Sequence, residues 1–174
     1  MKKLHPQTQL LHSDRLRGAE HAAGHQPIHK SVQWGYAHAQ DIADTFQNKR
    51  SGFTYARGGN PTTAALEAQI NVLEQGIGTI SFATGMAAIS TLILALLKKG
   101  DHLIASQYLF GNTTSLLTTL AAHGVSISYV DVTDAGQVEA AIQSNTRMVF
   151  VETLANPRTQ IADLMGIGKL CRVQ

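Results

Sequence analysis

From residue 61 onward the apolar positions alternate between two spacings. Some stretches repeat at the period of a helix, others are short apolar runs of strand length. The first helical stretch spans 62–75, where Leu66, Ile70 and Leu73 fall at i, i+4 and i+7 and form one stripe. Asn60 followed by Pro61 predicts its start, a side-chain cap with proline at the first helical position, and Gly76 and Gly78 predict its end. The run 79–83 reads as a strand. Gly85 then turns the chain into a strongly apolar helix over 86–99, expected to be buried on most sides and closed by Lys98, Lys99 and Gly100. The cycle repeats with a strand at 102–106, a loop to Asn112, a helix over 113–123 stopped by Gly124, and a strand at 126–130. In the third turn, Asp134 and Gln137 resemble a capping box at the head of a helix over 135–143. A strand at 147–151 and a last helix at 161–172 follow.

Strands alternating with helices of this length predict right-handed crossovers and an α/β fold, a mostly parallel sheet with helices on both faces. Residues 1–60 lack that regularity and read as an extended N-terminal arm, with the α/β domain occupying 61–174. Ligands of such sheets lie beyond the carboxyl ends of the strands, so the loops that matter are 84–86, 106–113, 131–134 and 152–160.

Composition narrows the classes. With 44% hydrophobic and 15% charged residues in 174, the chain is globular rather than disordered. Five Lys or Arg against two Asp or Glu put residues 1–30 at +3 and leave the remainder at −1, which is no basic face for nucleic acid. The longest apolar stretch, 89–97, is interrupted by Ser90 and Thr91 and is far shorter than the roughly 18 to 20 residues of a membrane span. The start carries the charge of a secretory leader, but Gln7, Thr8, Gln9, His12 and Asp14 stand where its apolar core belongs. A cytoplasmic address and a reducing compartment are expected, and Cys171 has no partner for an internal disulfide. His21, His25 and His29 have the spacing of a helical metal chelate, yet Gly24 and Pro27 break that helix. The segment reads as a solvated or interface arm, and no metal site is expected.

The turn Thr84-Gly85-Met86 sets a hydroxyl, a glycine and a helix N-terminus directly after the run 79–83. Free N–H groups and the positive end of the helix dipole suit an anion there, and Gly85 lets a phosphate approach the backbone. A second anion feature is Tyr55-Ala56-Arg57, whose i and i+2 side chains share a face of an extended segment and offer a hydroxyl and a planar guanidinium. Nucleotide folds fail on spacing. Gly76-Ile77-Gly78 precedes its strand and has no glycine at 81, and no Gly-Lys-Ser/Thr closes a P-loop.

In order, Tyr55-x-Arg57-x-x-Asn60-Pro61-Thr62, Thr84-Gly85-Met86-Ala87-Ala88, Leu109-Phe110-Gly111-Asn112-Thr113 and Glu152-Thr153-Leu154-Ala155-Asn156-Pro157 resemble the pyridoxal-phosphate enzymes of Cys/Met metabolism. That family includes cystathionine γ-synthases, O-acylhomoserine sulfhydrylases, cystathionine lyases and methionine γ-lyases. The resemblance runs from about Pro27 to the end of the chain and implies the type I fold of pyridoxal-phosphate transferases. It also implies pyridoxal 5'-phosphate as cofactor and a homo-oligomer, dimer or tetramer. By the resemblance, Tyr55 and Arg57 reach a neighbouring subunit's cofactor phosphate, and Gly85, Met86 and Thr84 hold the phosphate at home. Phe110 stacks on the pyridine and Asn156 hydrogen-bonds its 3-oxygen. Two departures are visible. Phe110 stands where tyrosine is frequent, keeping the stacking without an acid-base hydroxyl, and Thr84 replaces a frequent serine.

The resemblance further implies a lysine bonded covalently to the cofactor aldehyde and an aspartate on the pyridine nitrogen. The lysines are 2, 3, 30, 49, 98, 99 and 169, in the arm, at a helix end or on the last helix, and none matches. The expectation is an N-terminal fragment from a truncated or frameshifted gene, without a catalytic residue of its own, inactive alone and poorly soluble. An intact relative acts on an amino-acid substrate, removing the Cα proton of an O-acylhomoserine, expelling the γ-acyloxy group and adding a sulfur nucleophile to give cystathionine or homocysteine. Elimination of the methionine γ-lyase or cystathionine lyase type is the alternative reaction, and a non-catalytic phosphate-binding or assembly module the alternative class.

Overall fold

The computed structural model of the chain describes residues 4–15 and 18–173. Lys2 and Lys3, read above as tail, lie outside the described residues. Internal contacts divide the chain into two compact units, Met1–Ser81 and Phe82–Gln174.

The Phe82–Gln174 unit is the α/β part. Its strands β1 (His102–Ser106), β2 (Ser126–Val130) and β3 (Thr146–Phe150) form a parallel sheet in the order β2-β1-β3. Helices α4 (Gly85–Leu96), α5 (Gly111–Ala122), α6 (Ala135–Ala140) and α7 (Leu164–Val173) connect and flank them. Every residue of β1 is buried, because successive side chains enter opposite layers. Leu103 and Ala105 pack with Ile93 of α4 and Leu117 and Leu120 of α5, whereas Ile104 packs with Val138 of α6 and Ile167 of α7. The sheet thus has helices on both faces, as the alternating pattern predicts.

Several boundaries differ from the sequence reading, each for a local reason. The run 79–83 is not a strand. It has no pairing partner among the described residues, and the N–H and hydroxyl of Ser81 both donate to Glu67 Oε1, at 2.9 and 3.0 Å. The helix placed at 86–99 ends at Leu96, because Leu97 is extended and Asp101 Oδ2 accepts the Lys98 N–H at 2.9 Å in a tight turn. That helix is not buried on most sides either. Ile93 is its buried residue, while Leu92, Leu94 and Leu96 are 49, 64 and 60% exposed, since one face alone meets the sheet. The helix placed at 135–143 stops at Ala140, where Thr146 Oγ1 accepts the Gln143 N–H at 2.8 Å. Its cap is Asp134 accepting from Gly136 N–H rather than a full capping box.

The Met1–Ser81 unit holds α1 (Pro6–His12), α2 (Ala39–Phe46) and α3 (Pro61–Glu74). Asn60 caps α3 as its sequence predicts, its side chain accepting from Thr62 N at 2.8 Å while its amide donates to His29 O at 3.1 Å. Helices α1 and α2 lie in the stretch read as an extended arm. They are of 7 and 8 residues; α2 does carry a helical stripe, Ala39, Ile42, Ala43 and Phe46 at i, i+3, i+4 and i+7, which the sequence reading passed over. The segments on either side of α2 meet: Gln33 and Tyr55 form an antiparallel bridge, and the rings of Trp34 and Phe53 lie 5.7 Å apart.

His102 crosses the sheet at its amino-terminal end. Fully buried, it contacts Thr146 Oγ1 on β3 at 2.8 Å through Nδ1 and Ser128 Oγ on β2 at 3.0 Å through Nε2. Burial holds its pKa below the ordinary value near 6.5. Since the unfolded chain takes up the proton first, the stability linked to His102 is complete above about pH 6.5. It is lost as pH falls through the lower folded value. Urea midpoints measured between pH 7.5 and pH 5 are expected to fall with pH, and His102→Gln is expected to flatten that dependence.

Candidate functional site

Helix α4 runs antiparallel to β1, back toward its start, and packs on it through Ile93. Its N-terminus therefore lies toward the carboxyl edge of the strands, the edge from which the 107–110 and 151–163 loops also emerge. The first N–H groups of any helix lack intrahelical acceptors. Thr84 Oγ1 takes the Ala87 N–H at 3.0 Å, and the Thr84 carbonyl takes that of Ala88 at 3.1 Å. The N–H groups of Gly85 and Met86 have no acceptor among the described residues. A Cβ added at Gly85 would meet no atom within 4 Å, so the backbone is open on that side of the turn. Thr84 is thus both the cap, through a lone pair, and a hydroxyl whose proton remains to donate. A phosphate fits this set: two backbone donors, a hydroxyl and the helix dipole.

Phe110 stands at the head of α5 and is half-exposed. Its N–H donates to Glu152 Oε1 at 3.1 Å, which ties the loop after β1 to the chain leaving β3. Asn156, exposed, sits in the latter loop, where Thr159 N donates to Ala155 O and Ala155 N to Gln160 O, both at 2.9 Å; the Asn156–Pro157 peptide is cis. Asn156 and Gln160 line, with Tyr108 and Leu109, an open cavity of about 340 Å³. The Tyr108 hydroxyl donates to Asp131 Oδ2 at 2.7 Å. Asp131 also accepts from the hydroxyl and N–H of Thr133, and these bonds, ahead of that from Tyr108, hold its carboxyl below the usual range. Glu152, Tyr108 and Asp131 carry no role in the sequence reading. The signal for them was positional, each lying just past the end of a strand.

Tyr55 and Arg57 belong to the other unit. The structure brings them together, with the Arg57 guanidinium carbon 5.7 Å from the centre of the Tyr55 ring. Both side chains are exposed, and Arg57 makes no ion pair among the described residues. Gly58 N and Gly59 N both donate to the Tyr55 carbonyl, at 2.9 and 3.2 Å, closing the turn that carries the pair.

The lysines of the Phe82–Gln174 unit are Lys98, Lys99 and Lys169, all exposed. Lys98 and Lys99 follow the far end of α4, about 18 Å from Gly85 by the helical rise. Among the described residues no three His, Cys, Asp or Glu side chains cluster to hold a metal, and no helix is long and apolar enough to cross a membrane.

Residues 7–174 match the family described as Cys/Met metabolism PLP-dependent enzyme. The L-methionine gamma-lyase of Fusobacterium nucleatum is 34% identical over 171 residues, covering 98% of this chain and 43% of that protein. The cystathionine gamma-synthase of Mycobacterium leprae is 39% identical over 136 residues, covering 78% of this chain and 35% of the other. Among solved structures, the O-acetylhomoserine (thiol)-lyase of Campylobacter jejuni, which carries N'-pyridoxyl-lysine-5'-monophosphate, superposes with a TM-score of 0.88 at 27% identity. That match covers 98% of this chain and 42% of that one. The chain therefore spans less than half the length of the relatives it matches.

Proposed function

The chain belongs to the Cys/Met-metabolism family of PLP-dependent enzymes, and from that premise we propose that it supplies the phosphate- and ring-gripping part of a pyridoxal-phosphate site used for γ-replacement on an O-acylhomoserine, and is inactive on its own because none of its seven lysines matches the one that bonds the cofactor. The observation that carries this reading is the donor set at the head of α4, the Gly85 and Met86 N–H groups, without an acceptor among the described residues, beside the Thr84 hydroxyl. The cofactor supplies an electron sink for charge developing at the amino-acid Cα. Phe110 offers a flat apolar face to stack on, and without a hydroxyl it leaves proton handling on that face to other groups. Asn156 offers an amide to a ring oxygen. Tyr55 and Arg57, exposed and paired, are free to reach the phosphate of a neighbouring copy, so the complete cradle is a shared one in a homo-oligomer. A cytoplasmic setting suits the single exposed Cys171. Elimination of the methionine γ-lyase type is the second reading, supported by similarity to the F. nucleatum lyase.

Equilibrium dialysis tests the proposal. Pyridoxal phosphate is expected to bind at least tenfold more tightly than pyridoxal, and Arg57→Ala to remove about tenfold of that preference, the worth of one charge-assisted hydrogen bond. Equal binding of the two vitamers would overturn it. Borohydride reduction followed by peptide mapping checks the lysines: none of the seven is expected to label stoichiometrically.

A further inference from the structure

The cavity of about 340 Å³ beside Asn156 holds more donors than a cofactor ring uses. Arg158, Gln107 and Gln160 line it together with Asn156, and Leu109 and Pro157 add an apolar wall. Arg158 makes no ion pair among the described residues. It joins the hydrogen bonding of its loop through its carbonyl, which accepts the Thr159 hydroxyl at 2.8 Å. The side-chain amides of Gln107, Asn156 and Gln160 are likewise without a partner among the described residues. The acids of the neighbouring loops are engaged elsewhere. Asp131 is held by Tyr108 and Thr133, Glu152 by the Phe110 N–H, and Asp134 and Asp163 by the N–H groups of Gly136 and Gly166. None of the four lines the cavity, so the Arg158 charge meets no carboxylate there.

The loop that carries Arg158 is braced by its own backbone. Leu154 and Ile161 bridge antiparallel, Thr159 N donates to Ala155 O, Ala155 N to Gln160 O, and Ala162 N to Thr153 O at 3.2 Å. Thr159 stands at φ 55°, in the left-handed region that a β-branched residue rarely adopts. Such a conformation is costly, persists only where its surroundings hold it, and concentrates at ligand sites. A braced loop also loses little freedom when a ligand arrives. The planar fork of a guanidinium matches a carboxylate in a bidentate pair, and primary amides add further donors around it. Leu109 and Pro157 give a short alkyl chain an apolar surface to lie on, which a bare inorganic anion would leave unused. We propose that this cavity binds the carboxylate of a short-chain organic acid, with Arg158 as its bidentate partner. Its place in the reaction rests on the cofactor reading above: the carboxylate belongs to the O-acylhomoserine, either at the end of the acyl chain or on the amino-acid carbon.

Broadening of succinate proton resonances by the chain reads occupancy without any cofactor. Succinate is expected to broaden saturably, and its neutral isostere succinamide not to broaden. Arg158→Gln is expected to weaken succinate about tenfold or more and Gln160→Leu about threefold. Arg147→Gln, which removes an exposed arginine of β3 outside the cavity, is expected to leave the titration unchanged. Equal broadening of succinamide, no saturation, unchanged affinity in Arg158→Gln, or equal losses in the two arginine variants would overturn the proposal. Titration with O-succinyl- and O-acetyl-L-homoserine separates the two sources. Tighter, Arg158-dependent binding of the succinyl ester assigns the carboxylate to the acyl chain, and equal, Arg158-dependent binding of both assigns it to the amino-acid carbon. Succinate binding by a chain that does not prefer pyridoxal phosphate in dialysis would uphold the anion site and remove the cofactor reading. The reverse result would overturn the anion site alone.

Discussion

Gly85→Asp is expected to abolish binding of pyridoxal phosphate, by about a hundredfold or more, while leaving the melting temperature unchanged or slightly raised. The two effects have opposite signs because they answer to different partners. A carboxylate in the first turn of α4 interacts favourably with the helix dipole and meets no atom where its Cβ would stand, so the fold has nothing to lose. The same charge faces the Gly85 and Met86 N–H groups and the Thr84 hydroxyl and occupies the space an incoming phosphate needs. Two charge-assisted hydrogen bonds, at roughly 1.5 to 3 kcal/mol each, account for a hundredfold loss. Dialysis against pyridoxal phosphate with a parallel thermal melt checks both halves. Retained affinity would show that the phosphate sits elsewhere, and a large drop in melting temperature would show that Gly85 serves the fold instead.

How legible this cradle was depended on the kind of signal involved. The strands at 102–106 and 126–130 coincide with β1 and β2, because a short apolar run between a glycine and a polar loop leaves little freedom in where pairing begins. Asn60 capping α3 was legible for the same local reason, since the cap acts within a few residues. The run 79–83 has equal strand character by composition, but a strand is a relation between two segments, and its sequence says nothing of whether a partner is present. The exposure of Leu92, Leu94 and Leu96 is a similar case. An apolar helix announces that it could be buried, and what covers it is decided elsewhere.

Site residues divide along the same line. Thr84 and Gly85 could be proposed from the loop itself, because a hydroxyl, a glycine and a helix start within three residues suit an anion. Phe110 and Asn156 were not. Read by their neighbours alone they are a core aromatic and a turn residue, and only the ordered set of four motifs singled them out. Glu152 stood in the fourth motif without a role, because its contact with Phe110 N–H spans 42 residues of sequence. Sequence reasoning reaches chemistry that one loop can perform and loses chemistry that two loops must assemble.

The largest stability effect is expected at Ile104, where Ile104→Ala should lower the unfolding free energy by about 2 to 5 kcal/mol. Ile104 is fully buried at the centre of the middle strand, and among the apolar residues of β1 it is the one that joins Val138, Ile167, Val132 and Ala162 on the α6 and α7 side. Shortening it opens a cavity between β1 and two helices at once, and α6, with 6 residues, has little of its own to hold it in place. Leu94→Ala removes a comparable volume from α4, yet Leu94 is 64% exposed, and its loss should stay within about 0.5 kcal/mol. Urea melts of the two variants measure the difference directly. A small effect at Ile104 would mean that the α6 and α7 layer is not packed on the sheet, and the parallel strands would then lack the cover on both faces that keeps them from water.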